Sequence, residues 1–283
     1  MVSLIVASIV VSGLLYLVVE LLQIDRRETV LDETQRDMRR AMDYVADDLR
    51  EAIYVYADPA ANIATPLDNA GYTLPGGGAI PVLAFWKPQP LDDDFSELPD
   101  CSTAANEDTC NALKLRQAYY QLVIYFLKPN TAADAGQWDG KSRIIRYTVS
   151  EYTKASLSTA AQTSPFLSNS PAAQDFSSWS PNSAGSLPGT DSKVLVDYVA
   201  DLDATNGAPT CDTGYTASGI SDSFSACILL PETGRNQDVV VFLKGDASGF
   251  NDRRLVNSFS EASSLPTLKT QVLVRGVIGK EPD

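Results

Sequence analysis

Histidine is absent from all 283 residues, which removes the commonest general base and the commonest zinc or copper ligand. A serine nucleophile served by a His-containing triad is thereby excluded, and no GxSxG elbow occurs either. Positive charge is scarce: 22 Lys and Arg stand against 36 Asp and Glu, for a formal net charge of -14. Such a chain is not steered toward a phosphate backbone, so nucleic acid is not expected as a partner. Cysteine is sparse, and none of Cys101, Cys110, Cys211 and Cys227 stands in a CxxC pair, which argues against a zinc knuckle or a redox dithiol. Gly76-Gly77-Gly78 is not followed by Lys-Ser or Lys-Thr and precedes a strand-like run, so it reads as a turn rather than a phosphate cradle. Paired carboxylates are frequent in so acidic a chain and do not by themselves indicate glycosidase chemistry. An enzyme is therefore not expected, and neither is a cofactor or metal.

Two further absences shape the N-terminus. No charged side chain occurs from Met1 to Val19, and neither Pro nor Gly occurs between Gly13 and Pro59. About 20 apolar residues rising ~1.5 Å each match a ~30 Å hydrocarbon layer. A cleaved signal peptide would show a basic start and a small-residue cleavage site, and a buried core helix would not stay apolar for so long. Residues 1–24 are therefore expected to be an uncleaved transmembrane anchor, with Glu20 reaching the interface. Nothing stops the helix there. Residues 25–56 are expected to continue it as an amphipathic segment, for a total length of roughly 80 Å. Ile24, Leu31, Met38 and Val45 recur every seven positions, joined later by Ala41, Met42, Leu49, Ala52, Ile53 and Tyr56. The stripe is narrow along the charged stretch Asp25–Arg40, where Asp32 with Arg36 and Arg39 with Asp43 have i,i+4 spacing. From Ala41 it is broad enough to lie on a sheet. Ile24, Leu31 and Met38 are accordingly expected to face helices of other molecules, and the later positions to face the head.

Past Pro59 the composition shifts to Pro, Gly, Ser, Ala and Asn, punctuating apolar runs of strand length at 80–86, 119–127, 143–152, 194–199, 226–230, 239–244 and 270–278. No strong helical pattern separates them, so antiparallel pairing is expected. The fold class is α+β: a long N-terminal transmembrane and amphipathic helix packed on a mainly antiparallel β head, residues 57–283. Residues 156–190 read as a long surface excursion. The continuously apolar Val239–Leu243 is expected to be central in its sheet. Asp92-Asp93-Asp94 and the set Asp201, Asp203, Asn206 and Asp212 are oxygen-rich loops, but Gly207 falls one place late for a calcium loop of the EF-hand type. They are read as solvated turns, without assigned ligands. The four cysteines allow three pairings, of which Cys101 with Cys110 and Cys211 with Cys227 needs no distant contact. The alternative is four reduced thiols in a reducing compartment; disulfides would place the head outside the cytoplasm.

An apolar helix running without a break into an amphipathic one, before a β-rich, cysteine-bearing head, resembles the type IV pilin and pseudopilin superfamily. The stretches LLYLVVELLQIDRRE, LDETQRDMRRAMDYVADDLREAIYVY, VVVFLKGD and LPTLKTQVLVRGVIG resemble large minor pilins of the PilW-like kind. They are most similar to pseudopilins linked to polysaccharide secretion and gliding in filamentous cyanobacteria. The family's basic leader and its Phe-Thr-Leu-x-Glu motif are missing, and Met1 falls where family members carry an internal Met, which implies a start upstream of Met1. The resemblance implies a non-enzymatic filament subunit, held in the inner membrane with an extracytoplasmic head before assembly. Its partners would be other pilin-like subunits, reached through the helix, and a polysaccharide or other surface partner of the head. Arg26 and Arg27 taken alone would favour a cytoplasmic head; the cysteines and the resemblance point the other way. A solitary signal-anchored extracytoplasmic binding domain is the competing expectation.

Overall fold

The computed structural model describes residues 2–91, 100–104, 107–157, 159–167, 175–182, 191–202, 210–219, 223–230, 236–248 and 265–277. Helix α1 runs without interruption over Val2–Arg50, about 70 Å by its rise per residue. It ends six residues short of the expected Tyr56. The sequence past Arg50 turns β-branched and aromatic at Ile53, Tyr54, Val55 and Tyr56, residues that fit a pleated surface better than a helix. They form strand β1 (Tyr54–Val55), fixed by hydrogen bonds from the Ile53 amide to the Trp86 carbonyl at 2.7 Å and from the Tyr56 amide to the Ala84 carbonyl at 2.9 Å.

Among the described residues two antiparallel sheets follow in simple chain order. The first comprises β1, β2 (Ile80–Pro90), β3 (Ala118–Pro129), β4 (Ser142–Ser150) and β5 (Asp191–Val199); the second comprises β6 (Tyr215–Ser218), β7 (Phe224–Leu229), β8 (Asn236–Leu243) and β9 (Leu268–Val277). All seven expected strands are present, and β8 is an inner strand between β7 and β9. The short β1 and β6 were not expected, and neither was a helix α2 (Glu107–Arg116) between β2 and β3. Despite that helix, β2 and β3 pair antiparallel, Phe85 opposite Val123 and Trp86 opposite Leu122.

The first sheet is buried on both faces, which explains why β3 reads as one apolar run. One face carries Phe85, Val123, Tyr125 and Leu127, packed with Met42, Val45 and Leu49 of α1 and with Phe224, Val241 and Val272 of the second sheet in a single core. The other face carries Trp86, Ile124, Phe126 and Tyr147 beneath Ile63, Leu67, Tyr72, Phe166 and Trp179. Residues 156–190 are therefore not wholly a surface excursion. Trp179 meets Trp86 edge to face at 4.9 Å, and Phe166 meets Trp86 at 5.8 Å. The same segment is tied down by Tyr72, whose hydroxyl donates to the Asn182 carbonyl at 3.0 Å.

Polar contacts join the sheets. The Gln237 side chain accepts from the Val55 amide and donates to the Val55 carbonyl, both at 2.8 Å, so it extends the ladder that β1 forms with β2. Ser218 donates to the Val82 carbonyl at 2.6 Å, and Lys141 pairs with Asp246 at 2.8 Å. The cysteines are bonded Cys101 to Cys110 and Cys211 to Cys227, with Cα separations of 5.5 and 5.6 Å. The first ties a short turn to α2, the second ties the segment before β6 to β7. Loops this short contribute about 2–3 kcal/mol by limiting the unfolded chain. Gly77 and Gly78, at φ +74 and +77, form the turn that leads into β2, a backbone region that side chains disfavour.

Candidate functional site

The feature that stands out among the described residues is α1, which changes character along its length. From Ile9 to Leu22 its large apolar side chains are exposed all round the helix, Tyr16 at 70% and Leu21 at 65%. Such a surface is unfavourable in water and ordinary in lipid or among other helices. The helix is long and apolar enough to cross a membrane, and none of its most apolar stretch is buried by the head.

The three expected packing positions fare differently. Ile24 is exposed at 43%. Leu31 is half-buried and packs with Val30 and Ala247. Met38 is only 1% exposed and belongs to the shared core. The expectation that Met38 lies on a free stalk is thus corrected, because the docked part of the helix begins near Val30 rather than Ala41. The reason lies far away in sequence. Gly245, bridged to Val199 between the sheets, leaves room for the Met38 side chain; a Cβ there would stand 2.8 Å from Met38 Cγ and 3.0 Å from Leu265 Cδ1. Gly245→Ala is expected to cost about 1–3 kcal/mol through overpacking, read as a lower denaturant midpoint. An unchanged midpoint would mean that Met38 has slack the packing does not show.

Deeper along α1, Asp48 carries a buried charge into the first sheet. Its Oδ1 accepts from Lys87 Nζ at 2.8 Å, and its Oδ2 accepts from Arg146 Nε at 2.6 Å and from the Tyr125 hydroxyl at 2.7 Å. Lys87 also reaches Glu51 at 2.9 Å, so two cations face two carboxylates. Burial alone would raise the Asp48 carboxyl; the hydrogen bonds from Arg146, Lys87 and Tyr125 and the Arg146 charge outweigh it and hold the group below its ordinary value. Burial would likewise lower Lys87 and Arg146, but Asp48 holds both above their ordinary values, aided at Lys87 by Glu51. The Tyr125 hydroxyl is pushed up by burial and by the adjacent Asp48 charge. Sequence reasoning missed this cluster, although a signal existed: Asp48 falls between Val45 and Ala52 on the stripe that otherwise carries only apolar residues.

Of the two Arg–Asp spacings noted on the stalk, Arg36 and Asp32 pair at 2.8 Å, whereas Arg39 and Asp43 form no ion pair among the described residues. A cation N-terminal to its acid is the weaker orientation on a helix. The acidic loop at residues 92–94 lies outside the described residues, as do Asp203, Asn206 and Gly207; Asp201 and Asp212 are exposed. No protein-family model, curated protein or solved structure matches the chain.

Proposed function

We propose that the chain is a non-enzymatic, pilin-like subunit of a membrane-assembled filament. In this reading residues 1–24 hold it in the inner membrane, the disulfide-bonded head lies outside the cytoplasm, and assembly draws the anchor out of lipid into a bundle of like helices. The single observation that carries the reading is the continuity of α1: one uninterrupted helix is exposed and apolar around its N-terminal part and sealed into a double-sheet core by its C-terminal part. The two disulfides support an oxidising compartment. Filament motility or polysaccharide secretion is the proposed setting, resting on the family resemblance.

The test falls on Ile24, the expected packing residue that remains exposed. Ile24→Asp places a charge in the proposed seam at a cost of about 2 kcal/mol or more if the seam is dry, while the head and the apolar stretch before Glu20 are untouched. Normal expression, both disulfides and membrane retention are expected, with loss of the chain from sheared filament preparations. The docking of Leu31 and Met38 onto the head shortens the free stalk, which favours the solitary anchored ectodomain more than a long stalk would. If Ile24→Asp complements a deletion strain as well as the wild-type chain, that second reading replaces the first.

A further inference from the structure

A groove of about 450 Å³ opens between α1 and β5, a size within the range of small-ligand sites, about 300–1,000 Å³. Val194 and Val196 give it apolar surface, Tyr44 of the helix and Trp138 of the loop between β3 and β4 bring aromatic rings, and Asp37 and Arg40 bring opposite charges. Each ring has an arginine over it: Arg146 lies 5.8 Å from the Tyr44 centroid and Arg143 lies 5.7 Å from that of Trp138. Tyr44 is nevertheless exposed and Trp138 half-buried. The Trp138 indole N–H has no hydrogen-bond partner among the described residues and is not sealed from solvent.

The loop that carries Trp138 is clamped at a cost. Asp197 of β5, also at the groove, accepts from Asn130 Nδ2 at 2.8 Å and from the Asp139 and Gly140 amides at 3.0 Å each. Gly140 passes so close to the strand that a Cβ would stand 2.3 Å from the Tyr198 nitrogen. Tyr198 itself holds φ +60, a region that a bulky residue rarely adopts. Arg143 pairs with Asp134 at 2.9 Å, and the Trp138 amide donates to the Asp134 carbonyl at 3.0 Å. Trp138 belongs to neither main core, so the clamp holds a ring at the groove rather than in the interior. Backbone strain of this kind persists where the surroundings over-determine it, and ligand clamps are among the places where it gathers.

We propose that this groove binds a neutral sugar ring, a hexose unit of a glycan. The faces of aromatic rings carry partial negative charge, which suits the polarised C–H face of a pyranose. Its hydroxyls can donate to the Asp37 carboxylate and accept from Arg40 and from the indole N–H. A net charge of -14 repels uronate or sulfated polymers. Addition of an extended peptide to β5 is disfavoured. The ladder between β4 and β5 shifts register on either side of Ile144, and Asp191 and Lys193 stand exposed at the start of β5; bulges and charges both blunt a sheet edge. The site lies beside the docked part of the helix and does not depend on whether the chain enters filaments.

Titration of the full-length chain in a sugar-free detergent tests this. The probes are neutral oligosaccharides of glucose, galactose and mannose, with oligogalacturonate and an alternating Thr-Val peptide alongside. Affinity is read by calorimetry, and occupancy of the groove by acrylamide quenching of tryptophan fluorescence; Trp86 and Trp179 are buried, so the quenchable signal is that of Trp138. At least one neutral series is expected to bind saturably and to shield Trp138. Tyr44→Ala should weaken that binding by about three- to ten-fold, the worth of one aromatic contact, while near-ultraviolet circular dichroism shows the head still folded. Trp138→Phe keeps a ring and removes the N–H, and should weaken it by roughly three-fold, the worth of one hydrogen bond. No saturable binding of any neutral series, or binding indifferent to both substitutions, would overturn the site. Tighter binding of oligogalacturonate would overturn the neutral class, and preference for the Thr-Val peptide would overturn the sugar in favour of strand addition.

Discussion

Asp48→Ala is expected to cost the folded chain about 3–5 kcal/mol, because it leaves Lys87 and Arg146 inside the protein without their shared carboxylate. Against a total stability of about 5–15 kcal/mol, that loss lowers the denaturant midpoint severely or abolishes folding. Asp48→Asn keeps one acceptor oxygen but loses the charge and sets an amide donor where the second oxygen accepts, so it should also destabilise clearly. Glu51→Ala, which removes a largely exposed partner of Lys87, should cost less than about 1 kcal/mol. The pH dependence has a definite sign. The folded carboxyl of Asp48 is depressed below 3.8, so its contribution is complete above pH 4 and is lost as pH falls through the depressed folded value. Lys87 is raised above 10.5, so its contribution is complete below that value and is lost as pH rises through the raised one. Stability carried by the cluster is thus flat between about pH 4 and 10, and Asp48→Ala should remove the acid limb it causes. A mutant with an unchanged midpoint at pH 7 would show that the cluster does not hold the helix.

Cutting the chain at two places along α1 should give opposite results. A chain beginning at Thr29 loses the exposed apolar segment but keeps Val30, Leu31, Thr34 and everything beyond, and should be soluble with both disulfides formed when made in an oxidising compartment. A chain beginning at Glu51 also loses Met38, Ala41, Met42, Val45, Ala46 and Leu49, all buried in the shared core. Burial of the larger four contributes about 1.5–3 kcal/mol each, a sum on the order of 10 kcal/mol that rivals the stability of a domain. The shorter chain should therefore lack near-ultraviolet circular dichroism and aggregate. A folded, monomeric product from Glu51 would show that the head closes its core without the helix.

The long helix and the seven strand runs were legible because each rests on a local pattern: the missing Pro and Gly before Pro59, and apolar runs bounded by turn residues. What was not legible depends on partners far away in the chain. Nothing near Met38 distinguishes it from Ile24 or Leu31 in the seven-residue stripe; it is buried because Gly245 leaves space for it. Phe166 and Trp179 stand singly among Ser, Asn and Pro and carry no period, yet each fills the outer face of a sheet whose inner face was already covered. Helix α2 buries only Cys110 and Leu113, too few for an amphipathic signature. The helix end at Arg50 was misplaced because Ile53 and Tyr56 continue the helical stripe in sequence while pairing with β2 in space.

The ligands of Asp48 come from three neighbouring strands, β2, β3 and β4. Mechanically, this makes the junction between anchor and head a distributed fastening. In the proposed assembly, tension drawn along α1 would be divided among three strands of a sheet at once, and the chain beyond Arg50 is gripped on one side by β2 and on the other by Gln237. In that reading the contacts of Asp48 to three strands would let the apolar segment give up its lipid surroundings before the head yields its fold.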